Sequence, residues 1–67
     1  MKDGFYIYVY RYNKTLAYRN LQPYTQAEAE AHYEEVSKDK SYGIVEFRSV
    51  FNNNMKTLRT MNRIESL

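Results

Sequence analysis

The run Phe5-Tyr6-Ile7-Tyr8-Val9-Tyr10-Arg11-Tyr12 constrains the fold more than any other stretch of the chain. Strict alternation at period two is the signature of a half-buried strand. It sends Phe5, Ile7 and Val9 to one face and Tyr6, Tyr8, Tyr10 and Tyr12 to the other. The first face is wholly apolar and needs a cover. The second is a row of four phenols, each able to pack, stack or hydrogen-bond.

A cover must be found within 67 residues. That length gives one small domain, residues 1–67. A chain this short buries only about 60% of its unfolded surface. There is no cysteine. Disulfides, thiolate chemistry and cysteine-type zinc sites are therefore excluded, and one compact core has to supply the stability. No apolar run approaches a membrane span, and no signal peptide is read after Met1. The expected location is the cytoplasm, or the host cytoplasm if the chain is viral.

Two residues, Asn13 and Lys14, interrupt the pattern after Tyr12, so a tight turn and a return strand over 15–21 are expected. In a two-residue-loop register Tyr10 faces Ala17, Tyr8 faces Arg19 and Tyr6 faces Leu21. Pro23 stops that strand. Thr25-Gln26-Ala27-Glu28 fits a capping box, with Tyr24 placed for a hydrophobic staple. A helix over about 26–38 follows. Its apolar stripe is Ala29, His32, Tyr33 and Val36, and its acidic residues turn to water. Residues 44–51 alternate as a third strand. Asn52, Asn53 and Asn54 form a turn with left-handed backbone. Residues 55–62 read better as a fourth strand than as a short helix, and residues 63–67 as a frayed tail.

The order ββαββ predicts an α+β fold, a four-stranded antiparallel sheet in the order 2-1-3-4 with one helix on one face. One helix cannot cover both faces, so the tyrosine face is expected to stand open.

That face has three readings. Tyrosine is a strong strand former, and half-exposed tyrosines are ordinary. Tyrosine is also enriched in interface cores, which suggests a docking surface for another protein or for a second copy of the chain. Finally, an open sheet with aromatics and nearby Arg19, Arg48 and Arg59 is a candidate platform for single-stranded RNA or DNA. The net charge is only +2, and no glycine-aromatic RNA-reader motif is present. The charge is uneven all the same: residues 25–40 carry a net of −3 and the rest a net of +5.

Catalysis is not expected. His32 is the only histidine, and zinc chemistry usually wants three or four good ligands. A histidine at the edge of the core is the simpler reading. No cofactor, metal or small-molecule substrate is implied.

No motif aligns the chain with a known family. In length and in its Tyr- and Asn-rich, cysteine-free composition, it is similar to the small stand-alone proteins common in bacteriophage genomes. That likeness implies a non-enzymatic inhibitor or accessory protein that docks on a host defence or regulatory protein. The docking residues expected from the sequence are Tyr6, Tyr8, Tyr10, Tyr12, Arg19 and Arg48. A single-stranded nucleic-acid binder and a structural homodimer are the alternatives.

Overall fold

A computed structural model describes residues 1–66; Leu67 lies outside the described residues. The chain runs β1 (Gly4–Tyr10), β2 (Leu16–Arg19), α1 (Gln26–Ser37), β3 (Ile44–Phe51) and β4 (Asn54–Asn62), and closes on a 3-10 turn at Ile64–Ser66. The four strands form one antiparallel sheet in the order β2-β1-β3-β4. This is the α+β architecture that the alternation and the capping box imply.

Burial of apolar area holds α1 on the sheet. Ile7 and Val9 of β1 and Val45 and Phe47 of β3 meet Ala29, Tyr33 and Val36 of the helix. Fully burying a side chain of this size contributes about 1.5–3 kcal/mol. At the start of α1, the Thr25 hydroxyl accepts from the Glu28 amide at 3.2 Å, and the Glu28 carboxylate accepts from the Thr25 amide at 2.8 Å. Two otherwise orphaned donors are thereby satisfied.

The first hairpin differs from the expected two-residue turn. Its loop has three residues, 12–14, with Lys14 rather than Asn13 in the left-handed region at φ 70°. The Lys14 amide donates to the Arg11 carbonyl, and the Arg11 amide to the Thr15 carbonyl. Asn13 contributes through its side chain, which accepts from the Thr15 amide and hydroxyl. A three-residue loop shifts the register by one, which would invert the faces of β2. A bulge at Ala17 absorbs the shift: Tyr10 pairs with Leu16, while Val9 pairs with Tyr18 and Tyr8 with Arg19. Arg19 therefore still reaches the tyrosine face.

The return strand also stops short of residue 21. After Arg19, the Asn20 side-chain amide replaces the strand. It accepts from the Ile7 amide at 2.8 Å and donates to the Phe5 carbonyl at 3.1 Å. Leu21 is left exposed instead of facing Tyr6. The second hairpin turns on Asn52 and Asn53, both at positive φ, the geometry of a two-residue primed turn; Asn54, expected in the turn, is already in β4 and pairs with Phe51. Residues 54–62 are a strand, bulged at Leu58.

The tail is not frayed at Arg63 and Ile64. The Arg63 amide donates to the Gly43 carbonyl at 2.7 Å. Its guanidinium donates to the carbonyls of Ser37, Asp39 and Tyr42. A cation from the far end of the chain thus meets the negative end of α1. Among the described residues, no helix is long and apolar enough to cross a membrane.

Candidate functional site on the helix-free face of the sheet

Strand register builds this face in rows. Tyr10 lies between Leu16 and Ile44, with Asn62 beyond. Tyr8 lies between Arg19 and Glu46, with Thr60 beyond. Tyr6 pairs with Arg48, which pairs with Thr57. Five of the six expected docking residues thus share one face: Tyr6, Tyr8, Tyr10, Arg19 and Arg48. Tyr12 does not join them. β1 ends at Tyr10, and Tyr12 opens the hairpin loop, where its hydroxyl donates to the Lys40 carbonyl at 2.8 Å.

The expected open row of phenols is corrected at Tyr6 and Tyr8, which are only 1% and 9% exposed. Their cover comes from the same chain. The Tyr6 hydroxyl donates to the Lys2 carbonyl at 2.7 Å, and the Tyr8 hydroxyl lies 3.9 Å from the Met1 sulfur. Residues 1–3 are tied on both sides of the face. Lys2 reaches Gln22, and the Asp3 carboxylate accepts from the Asn52 amide. The Arg48 guanidinium lies 4.2 Å and that of Arg19 5.8 Å from the Tyr8 ring centroid. With Val50, the two tyrosines make a small second core. A bare row of phenols would leave broad apolar rings in water. The lead-in residues and the Arg48 guanidinium, which lies over the Tyr8 ring, shield them instead.

Arg48 is the electrostatic hub. It pairs with Glu46 and also donates to the Tyr10 hydroxyl at 3.3 Å. Burial opposes its charge, but the hydrogen bond and the charge of Glu46 outweigh that, and its pKa rises. The Tyr10 phenol is also pushed up, first by burial and then by Glu46 and Tyr8, with Arg48 pulling the other way.

What remains exposed is the end of the face near the first hairpin. Leu16 is 43% exposed, and Tyr10 and Ile44 beside it are half-buried. Met55 at the opposite end and Met1 over Tyr8 are also exposed apolar groups of this face. Leu16 and Met55 were not among the expected docking residues. Leu16 reaches this face only because Tyr10 pairs with it just before the bulge, which local pattern does not reveal.

Comparison with protein-family models, with curated proteins and with solved structures finds no match to this chain.

Proposed function

We propose that the chain is a non-enzymatic protein-binding module that docks through the uncovered end of its helix-free sheet face. The observation that carries this reading is the contiguous row Leu16–Tyr10–Ile44, apolar across three strands and beneath no helix. Arg19 and the Arg48–Glu46 pair flank it and supply polar rim contacts. Such a surface, with an aromatic and two aliphatic groups ringed by charge, has the anatomy of a small interface core. In the neighbouring rows, Tyr6 and Tyr8 make with Val50 the small core against which Tyr10 packs. A host defence or regulatory protein, the kind of target small phage inhibitors engage, is the partner class we propose. Size and composition alone favour that class.

The nucleic-acid alternative needs stacked rings open to bases. Burial of Tyr6 and Tyr8 withdraws two of them, and Arg48 is engaged by Glu46. The geometry therefore favours a protein partner.

The test is capture by the tagged protein from a host lysate, with and without nuclease. Wild type is compared with a Tyr10→Thr/Leu16→Thr variant, which keeps strand-forming residues. Nuclease-resistant capture that disappears in the folded variant is expected. Equal capture by a variant with native circular dichroism would refute the docking surface. Sedimentation at several concentrations shows whether the partner is a second copy.

A further inference from the structure

On the other side of the sheet lies a cleft of about 160 Å³, lined by Tyr18, His32, Glu35, Val36, Asp39 and Tyr42. Three of these walls are rings at steep angles. Tyr18 and Tyr42 meet at 72° with centroids 5.8 Å apart, and Tyr18 and His32 at 65° with centroids 6.1 Å apart. The Tyr18 hydroxyl lies 3.4 Å from His32 Nε2, which steadies the corner. Two carboxylates stand at the rim. Asp39 accepts from the Ser41 amide, and that bond is the chief reason its carboxyl sits below the usual range. Glu35 makes no ion pair among the described residues. Three aromatic rings thus stand beside two carboxylates around one cleft.

We propose that this cleft binds an alkylated ammonium group. Its rings would contact the methyl or methylene surface, and Glu35 and Asp39 would balance the charge. A soft, weakly hydrated cation is attracted by the ring quadrupoles and loses little on leaving water. The carboxylates add a Coulomb attraction that a neutral group of the same shape does not feel. His32, Glu35 and Asp39 do not form a metal-holding group among the described residues, so a bare divalent ion is not the ligand implied. The same head group occurs on free small molecules and on methylated lysine side chains. The cleft lies off the helix-free face, so this proposal stands or falls apart from the docking surface.

The experiment is an NMR titration of the intact protein with tetramethylammonium chloride, with sodium chloride as the ionic-strength control. Ring-proton shifts confined to Tyr18, Tyr42 and His32, saturating in the millimolar range, are expected. Tyr18→Leu should weaken binding by about two- to fivefold, as expected for one partly exposed cation–π contact. If that variant fails to fold, Glu35→Gln, on the exposed face of α1, should weaken the ion and leave a neutral analogue unaffected. The neutral analogue is 3,3-dimethylbutanol. Equal shifts from that alcohol, or no saturable shift from the ion, would overturn the proposal. Peptides carrying trimethyllysine and lysine separate the sources. Tighter binding of the trimethylated peptide than of tetramethylammonium assigns a protein side chain; the reverse assigns a free small cation.

Discussion

Replacing Arg63 with alanine removes the cation that gathers three carbonyls at the C-terminal end of α1. Its guanidinium donates to Tyr42 at 2.8 Å, Ser37 at 2.9 Å and Asp39 at 3.2 Å. A hydrogen bond with one charged partner contributes about 1.5–3 kcal/mol, and a carbonyl left dry and unpaired adds to the loss. The Asp39 contact is exposed and counts for little, and water can reach part of the remainder. A loss of about 2–4 kcal/mol follows for Arg63→Ala. A domain of this size has roughly 3–10 kcal/mol in all, so the loss is a large share. At about 4–8 °C per kcal/mol, Tm should fall by about 8 °C or more. Arg63→Lys should recover less than half, because a point charge cannot span the three acceptors as a planar fork does. Thermal and urea melts followed by circular dichroism measure the loss. Amide exchange should show the last turn of α1 and residues 39–43 opening first. An Arg63→Ala protein within about 0.5 kcal/mol of wild type would refute the reasoning.

Three further outcomes are expected. Tyr8→Phe should be nearly neutral, because among the described residues the hydroxyl hydrogen-bonds only the Met1 sulfur, while Tyr8→Ala should cost about 3–5 kcal/mol in a urea melt. Gly4→Ala should cost about 2 kcal/mol or more, since Gly4 sits at φ 144° and an added Cβ would lie 2.4 Å from Pro23 Cβ. Acid should destabilise the fold. Glu28 is held below its ordinary 4.5 by hydrogen bonds from Thr25, and Asp39 below 3.8 by those from Ser41. A depressed folded pKa gives stability that is full above the unfolded value and lost as pH falls through the folded one. The melting temperature should therefore drop as pH goes below about 4.5, and Glu28→Gln should flatten that drop.

Local pattern carried much of this fold. The alternation at residues 5–10, the capping box at Thr25 and Glu28, and the paired asparagines at 52 and 53 each act within a few residues. Their geometry is decided by nearest-neighbour sterics and hydrogen bonding, so they are legible in the chain. The strand order follows from the same signals, because a helix crossing back over the sheet brings the third strand beside the first.

The site was less legible. That Tyr6, Tyr8, Tyr10, Arg19 and Arg48 share a face follows from alternation and pairing. Whether that face is open does not, since residues 1–3 close over Tyr6 and Tyr8 through contacts with Gln22 and Asn52. The bulge at Ala17 answers a register that the hairpin loop sets. The Asn20 amide in place of a strand and the Arg63 clamp are likewise answers to unpaired polar groups created by the assembled sheet and helix. Such groups exist only once distant segments meet. The sequence by itself therefore determined which elements form and which way their side chains alternate. Tertiary structure alone decided which surfaces stay wet, because burial depends on what the rest of the chain brings alongside.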